Sequence, residues 1–437
     1  MVTRTGQLRA QVATVAPVGG GLAIVGAAAY AALALAGHSL DVVDSAAVSS
    51  MYLLTAIVGP GIFIAVEQQT NREVSGQLAV GRDSAPALRS AALVSAGLGV
   101  AVALVVLLAS PLLVSRVFGG HWALVAATVL AVFGAAAVYL LRGLFAGQRR
   151  FRWYGASLAA EGLARLLPCC ALALFGWATA DRFGFAFALG CGVAAVLVLP
   201  GLRGTGVRRL VQPEAADHSV PVRRLAGSVS LLALASGMTL SVANLGPVVL
   251  SSRVGPAGAE LAFSYTALFM LARIPVFLFG PLQAFLLPSL TAAAERGDVV
   301  TLRRQIRIVL LAVLAVGLPG ILLAWLLGPW ASKVFFHAPT ELSGLVAALL
   351  GISTVAMMAA TVLQPALVAL GRNRVAGASW TVASVLFIAV LFTPVSPLAA
   401  AVAAQVLAPT LVTVLMLLGL RSALTSAETT PEAQLTS

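Results

Sequence analysis

Stretches of about twenty consecutive apolar residues recur along almost the whole of this 437-residue chain. An α-helix of roughly that length crosses a ~30 Å hydrocarbon core, and in lipid a helix satisfies its own backbone hydrogen bonds. Only 10% of the residues are charged and 60% are hydrophobic, whereas a soluble domain carries roughly a quarter charged residues. The sequence therefore predicts an all-α integral membrane protein.

Gly, Pro and Arg residues separate about twelve of these stretches, each of which we interpret as a transmembrane span. The first is too long for a signal-peptide core and has no convincing cleavage site, so we expect it to be retained. The spans lie near residues 11–36, 45–66, 89–115, 122–141, 155–177, 183–202, 227–250, 258–282, 308–328, 342–368, 376–393 and 397–420.

The basic residues indicate the orientation of these spans. If the N-terminus is cytoplasmic, 21 of the 27 basic residues fall in cytoplasmic segments and four in outer loops, while Arg165 and Arg273 fall inside spans. Because basic residues resist translocation, this split predicts a cytoplasmic N-terminus and a cytoplasmic C-terminus. The net charge of +12 is thereby explained without nucleic acid, which we do not expect as a partner.

Two motif pairs suggest that the chain contains an internal duplication. Gly59-Pro60 recurs as Gly280-Pro281, and the Arg-x-Arg motif at 150–152, followed by Gly-Ala-Ser, recurs at 372–374. Both pairs are separated by nearly the same offset. We therefore predict two six-helix lobes related by a pseudo-twofold axis along the membrane normal. The lobes would span residues 1–203 and 226–421, with a cytoplasmic linker at 204–225 and a disordered cytoplasmic tail at 422–437.

Motifs typical of enzymes are missing from the sequence. It contains no phosphate-binding P-loop, no His-Glu-x-x-His and no Ser nucleophile elbow, so we expect neither catalysis nor ATP binding. Its three cysteines, Cys169, Cys170 and Cys191, indicate no disulfide framework. No metal and no cofactor are predicted, and transport would have to draw on an ion gradient or on the gradient of the substrate itself.

Ionisable residues within spans are the main candidates for function, because each is costly to place in the bilayer. Glu161 and Arg165 lie four residues apart and can pair on one face of a helix. They form either a structural pair or part of a wet central cavity. Arg273 has no acid at helical spacing. It either pairs with another helix or contacts a phosphate or carboxylate of a substrate.

Polar amides inside spans form a second set of candidates. Asn244, Gln364 and Gln405 either line a polar path or make hydrogen bonds between helices. Glu67, at the cytoplasmic end of the second span, is interpreted as an interfacial residue.

Glycine and proline interrupt two spans at corresponding places. Gly59-Pro60-Gly61 lies in the second span and Gly280-Pro281 in the eighth. Such breaks are either simple kinks or sites where a helix moves, and we predict a hinge or gating role for these five residues.

Two parts of the chain carry a family resemblance, namely residues 40–52, 58–61 and 67–72 in the first part and residues 142–151 and 154–165 in the second. They resemble the first two spans and the fourth-to-fifth-span region, respectively, of bacterial polysaccharide-biosynthesis membrane proteins of the multidrug, oligosaccharidyl-lipid and polysaccharide exporter superfamily. The resemblance covers essentially the whole chain.

The resemblance implies a function in the bacterial cytoplasmic membrane. Members of the O-antigen-flippase branch move polyprenyl-diphosphate-linked sugars between leaflets by alternating access. By that resemblance Arg165 and Arg273 would grip the diphosphate, and Glu161 would tune that charge or take part in H⁺ or Na⁺ coupling. The expected partners are an anionic lipid-linked glycan, membrane lipids, and a polysaccharide polymerase or glycosyltransferases.

Two alternatives remain open from the sequence. Drug-exporting members of the same superfamily often depend on an acid in the first span, and residues 11–36 contain none, which disfavours drug or cation antiport. The other alternative is a membrane scaffold for envelope-polysaccharide synthesis that does not itself transport.

Overall fold

The computed structural model of the protein describes residues 4–203, 221–276 and 299–428. In these ranges the regular structure is helical. Fourteen α-helices and two short 3-10 turns, at Leu199–Leu202 and Pro256–Gly258, make up the described chain. The helices are α1 (Arg4–Ser39), α2 (Val42–Val58), α3 (Pro60–Ala79), α4 (Ala85–Leu108), α5 (Ser110–Arg116), α6 (Trp122–Gly147), α7 (Phe151–Leu174), α8 (Ala180–Leu197), α9 (Val222–Val254), α10 (Ala259–Ala272), α11 (Val299–Phe336), α12 (Gly344–Ala369), α13 (Asn373–Leu391) and α14 (Pro397–Glu428).

Twelve segments of the described residues are helices long and apolar enough to cross a membrane. Each overlaps one of the predicted spans, so the all-α, twelve-span fold class is confirmed and the chain is a multi-pass membrane protein. Large apolar side chains on these helices are exposed, for example Leu108 and Leu174 at 82% each. Exposed apolar area of this kind is expected where lipid, rather than water, surrounds the helices.

Local sequence signals explain where several helices begin and end. The Asp41 carboxylate accepts a hydrogen bond from the Asp44 N–H (2.8 Å), and the Thr179 hydroxyl accepts one from Arg182 N–H (3.3 Å), which caps α2 and α8. Gly176 and Gly371 follow α7 and α12 with φ of 67° and 71°. This left-handed conformation ends a helix and favours glycine.

The polypeptide forms two compact units. The N-terminal unit contains Met1–Leu240 and Val254–Phe263, and the C-terminal unit contains Ser241–Arg253 and Ser264–Ser437. In the N-terminal unit α1 packs along α7, while α6 packs against α3, α4 and α8. In the C-terminal unit α12 packs against α11 and α14, and α13 packs against α14. The predicted lobe boundaries at 203 and 226 stay a prediction.

Two helices extend into segments that the sequence assigns to connectors. α9 begins at Val222, inside the predicted linker, and α14 continues to Glu428, inside the predicted disordered tail. The reason is packing, since Leu225 is 1% exposed and Leu424 is 6% exposed. The rest of the predicted linker and tail lies outside the described residues.

Glycines bring pairs of helices in the N-terminal unit into close contact. A Cβ at Gly143 would lie 2.7 Å from the Glu67 carbonyl oxygen, and one at Gly147 would lie 2.8 Å from the Val74 Cβ, so α6 touches α3 at two points one turn apart. Close backbone approach through small residues is a common way for membrane helices to associate.

The second span is interrupted at Gly59. α2 ends with a bond from the Gly59 N–H to the Thr55 carbonyl (2.8 Å), and α3 begins with bonds from Ile62 and Phe63 N–H to the Gly59 carbonyl. Pro60 has no N–H to donate. The helix break that the Gly59-Pro60-Gly61 motif suggests is therefore present, whereas its role as a hinge stays a prediction. Gly280 and Pro281 lie outside the described residues.

The second motif of the proposed duplication occupies equivalent local positions. Phe151 is the first residue of α7, with Arg150 as its N-cap, and Asn373 is the first residue of α13, with Arg372 as its N-cap. The Arg-x-Arg motif thus begins a helix in each unit, as a duplication would require.

Candidate substrate-binding site

A buried cluster of charged side chains connects α6 and α7 in the N-terminal unit. Arg142 on α6 donates from Nη2 to Glu161 Oε2 on α7 (2.6 Å) and from Nε to the Ser157 hydroxyl (2.9 Å). Its guanidinium also lies 5.1 Å from the centre of the Tyr139 ring. Arg142 is 2% exposed and Glu161 4% exposed, so this ion pair is shielded from solvent.

Arg165 extends the cluster by one turn of α7. Its Nη2 lies 2.5 Å from Glu161 Oε1 and 3.3 Å from the Cys191 sulfur on α8. The pair expected from the spacing of Glu161 and Arg165 is therefore formed. The Arg165 Nε is buried and has no hydrogen-bond partner among the described residues.

Two guanidinium groups share a single carboxylate in this cluster. Glu161 receives one arginine on each of its two oxygens, which leaves one positive charge in excess within the bonded triad Arg142, Glu161 and Arg165. In a low-dielectric interior an excess charge attracts an anion much more strongly than it would in water. We call these three residues the arginine triad.

Arg142 requires a correction to the sequence interpretation. The predicted end of the fourth span at residue 141 places Arg142 among the cytoplasmic basic residues. Instead α6 continues to Gly147 and carries Arg142 inside the helical unit. Arg142 precedes the next basic residue, Arg149, by seven residues, which is about 10 Å along a helix. This separation is the sequence signal that Arg142 lies deeper in the membrane than Arg149.

Glu67 lies on α3 and is only half-buried. Its Oε1 accepts a hydrogen bond from the Tyr154 hydroxyl on α7 (2.7 Å). It thus joins α3 to α7. Its assignment as an interfacial residue stays a prediction.

In the C-terminal unit Arg273 and Asn244 come together. Arg273 follows α10, and its Nη1 donates to the Asn244 Oδ1 on α9 (2.9 Å). Its guanidinium lies 4.4 Å from the centre of the Phe269 ring, close enough for a cation–π interaction. Two candidates that are 29 residues apart in sequence therefore form one polar contact.

The two candidate glutamines, Gln364 and Gln405, bond to different helices of the C-terminal unit. Gln364 Oε1 accepts a hydrogen bond from the Trp380 indole N–H on α13 (2.9 Å). Gln405 donates to the Val242 carbonyl on α9 (3.2 Å), and its buried Oε1 has no partner among the described residues. These contacts are the interhelical hydrogen bonds that the sequence allowed, and a binding role for Gln364 stays a prediction.

Gly190 on α8 makes room for Arg165, which gives a first testable prediction. A Cβ at Gly190 would lie 2.6 Å from the Arg165 Nε. We expect Gly190→Ala to displace the guanidinium from Glu161 and lower the thermal midpoint of the purified protein in detergent. Gly192→Ala is the matched control, since a Cβ there meets nothing within 4 Å. Equal midpoints for the two variants would contradict the placement of Arg165.

Comparisons of the sequence identify relatives but no family. No family model matches the chain. An uncharacterized protein of Mycobacterium tuberculosis strain H37Rv, Rv1510, is 27% identical over 406 residues, covering 87% of this chain and 85% of the relative. A second uncharacterized protein of the same strain, Rv3630, is 28% identical over 407 residues, covering 85% and 88%.

Comparisons of the structure identify the fold. An inward-facing multidrug resistance MATE family transporter of the MOP superfamily superposes with a TM-score of 0.75 at 13% identity, covering 93% of this chain and 96% of that one. A MOP superfamily transporter from Pyrococcus furiosus, described as having a binding pocket of reverse polarity, gives 0.69 at 11% identity, covering 95% and 96%. The chain therefore has the fold of the MATE transporters of the MOP superfamily.

Proposed function

We propose that the protein is an alternating-access transporter that moves an anionic lipid-linked oligosaccharide, carried on a polyprenyl diphosphate, across the bacterial cytoplasmic membrane. The fold supports transport as the general activity. The arginine triad is the observation that carries the choice of an anionic substrate, because its three residues hold two guanidinium groups and only one carboxylate.

The chemistry of a diphosphate suits these side chains. Guanidinium binds phosphate oxygens through parallel N–H donors, and charge-assisted bonds of this kind are roughly twice as strong as neutral ones. The Arg165 Nε has no hydrogen-bond partner among the described residues, so the guanidinium does not use all of its donors within the triad. Arg273, bonded to the neutral amide of Asn244, supplies a second guanidinium in the C-terminal unit.

A protein is needed for this movement because the glycan cannot cross hydrocarbon unaided. Each hydroxyl or charge would lose its hydrogen bonds to water at a cost of several kcal/mol. A polar, positively charged path lowers that cost while the polyprenyl chain stays in the lipid. This is the role that we assign to the charged and amide side chains of the two units.

Drug or cation antiport is the second candidate, and the named activity of a structural neighbour favours it. The excess positive charge of the triad opposes it, since a cationic drug would be repelled there. The sequence of α1 contains no acidic residue that could bind a cation or a coupling proton. The Pyrococcus protein, whose binding pocket of reverse polarity is described as suggesting a different function, is a precedent for functions other than drug export on this fold.

Transport of a defined lipid tests the proposal. The purified protein is placed in liposomes with a polyprenyl-diphosphate disaccharide that carries a fluorescent group on the sugar, and dithionite quenches the outer leaflet. We expect the wild-type protein to move labelled lipid from the inner leaflet to the outer leaflet, where dithionite quenches its fluorescence. Loss of one charge-assisted contact corresponds to about a tenfold or greater fall in rate, so Arg273→Ala and Arg165→Lys should each slow exposure by that factor.

Surface charge provides the control for this experiment. Arg116→Ala removes an exposed arginine at the end of α5 and is expected to leave the rate unchanged. Uptake of ethidium by the same liposomes, without movement of the labelled lipid, would replace the proposal by cation antiport. Movement of neither compound would favour the scaffold.

The energy source and the partners belong to the same proposal. Coupling to H⁺ or Na⁺ would drive net movement, and a polysaccharide polymerase or glycosyltransferases would consume or supply the glycan. The excess of basic residues in the predicted cytoplasmic segments supports cytoplasmic termini.

A further inference from the structure

A histidine and two aspartates from three helices meet in the N-terminal unit, away from the arginine triad. His121 directly precedes α6, Asp44 lies in the first turn of α2, and Asp181 lies in the first turn of α8. The His121 Nε2 is 2.9 Å from Asp44 Oδ1, and its Nδ1 is 2.9 Å from Asp181 Oδ1. By the predicted orientation all three lie at the outer ends of their helices.

The two contacts of the imidazole require a proton. A neutral histidine carries one N–H and one lone pair, so it can donate to only one carboxylate. The other ring nitrogen would then face a carboxylate oxygen as acceptor against acceptor. Both contacts are favourable only if the three groups together hold one additional proton, as in an imidazolium between two carboxylates.

The surroundings of the cluster support this state. Burial alone lowers the pKa of His121, but the hydrogen bonds and charges of Asp44 and Asp181 outweigh it and raise the pKa above its ordinary value. His121 is 28% exposed and Asp181 48% exposed, so protons from the outer solution reach them. Among the described residues no group of three His, Cys, Asp or Glu is arranged to hold a metal ion.

Other titratable or charged groups lie at the same ends of neighbouring helices. Asp41 caps α2 and accepts the Asp44 N–H, and Arg182 follows Asp181 and donates to the Trp177 carbonyl. Among the described residues of this unit, His38 near the end of α1, Arg116 at the end of α5 and Glu260 in the first turn of α10 also lie at the predicted outer ends. The two carboxylates that contact the ring itself come from α2 and α8.

We propose that Asp44, His121 and Asp181 form a proton-binding clasp, which holds the outer ends of α2, α6 and α8 together while the proton is bound and releases them when it leaves. Among the three helices, α2 should move most when the clasp opens. Its outer end is held by the clasp, and its inner end is the interruption at Gly59. The inference is independent of the transported substrate.

The direction of the pH effect follows from the raised pKa. The clasp stabilises the folded arrangement fully at pH values below the ordinary pKa of histidine, about 6.5, and the stabilisation is lost as the pH rises through the raised pKa. An acidic outer solution therefore closes the clasp, and an alkaline one opens it.

Hydrogen exchange of the full chain in lipid nanodiscs, measured by mass spectrometry between pH 5 and 9 and corrected for the intrinsic pH dependence, tests this clasp. In the wild type we expect the exchange rate of residues 41–47 and 117–125 to increase with pH. The total increase should be about tenfold if the pKa of His121 is raised by one, and about a hundredfold if it is raised by two. His121→Gln should exchange rapidly at every pH. Asp181→Asn should keep the transition but move it to lower pH.

Asp41→Asn is the matched control. It removes a carboxylate from the same end of α2, while asparagine still caps the helix, so its transition should remain near that of the wild type. Wild-type exchange that does not change with pH would overturn the proposal, as would a wild-type transition in His121→Gln. If His121→Gln does not fold, an unshifted transition in Asp181→Asn is equally decisive.

Discussion

Glu161→Ala is expected to destabilise the N-terminal unit by about 3 to 5 kcal/mol, the usual cost of removing one partner from a buried ion pair. Glu161 is 4% exposed, and it is the carboxylate that both Arg142 and Arg165 contact. Its loss leaves two guanidinium groups facing each other without a counter-charge. We expect a large fall in the thermal midpoint, measured by size-exclusion chromatography of detergent-solubilised protein after heating.

Two further variants separate charge from the general effect of substitution. Glu341→Ala removes an exposed carboxylate and should leave the midpoint unchanged. Arg142→Met combined with Glu161→Leu removes one charge of each sign. It should be less damaging than Glu161→Ala, because it leaves one buried guanidinium without a counter-charge, whereas Glu161→Ala leaves two. A midpoint for Glu161→Ala close to that of the wild type would mean that the triad is not shielded from water.

Gly155→Leu is expected to separate α1 from α7 and to prevent accumulation of the folded protein in the membrane. Even a single Cβ at Gly155 would overlap the carbonyl oxygen of Pro17 on α1. Further along the same contact, a Cβ at Gly162 would lie 2.8 Å from the Val25 Cα. Overpacking of a close contact costs about 1 to 3 kcal/mol, and backbone atoms cannot move aside as a side chain can.

The same contact can be tested on α1 with a matched pair of variants. Gly21→Ala places a Cβ 2.8 Å from the Leu158 Cβ, whereas a Cβ at Gly19 meets nothing within 4 Å. We expect Gly21→Ala to lower the amount of folded protein. Gly19→Ala should not lower it, because its Cβ meets no other atom and alanine is a better helix former than glycine. Tolerance of Gly155→Leu and Gly21→Ala in a fluorescence-based folding assay would exclude close packing of α1 on α7.

Hydrophobicity was sufficient to predict the spans because each transmembrane helix must satisfy its own backbone in lipid. The pairing of Glu161 with Arg165 was equally accessible, since both lie on one helix at a spacing of four residues. The break at Gly59 could be predicted because Pro60 removes a backbone donor whatever surrounds it. These features depend on neighbours in sequence alone.

Contacts between helices could not be predicted in the same way. The predicted end of the fourth span at residue 141 leaves Arg142 outside the membrane, and its partner Glu161, 19 residues away on another helix, cannot be identified from the sequence. The contacts of His121 with Asp44 and Asp181 join residues 77 and 60 positions apart. Carboxylates in the first turns of α2 and α8 suit the positive end of a helix dipole, so neither aspartate drew attention without the fold.

The break at Gly59 determines where probes of motion should be placed in the second span. α3 is fastened to α6 at Gly143 and Gly147, so a spin label on α3 and another on α6 will report a constant separation. Labels on α2 and α6 will instead record any swing of the outer half of that span. Labels on α3 and α6 alone would therefore miss a movement of α2 about Gly59, the hinge that the sequence predicts.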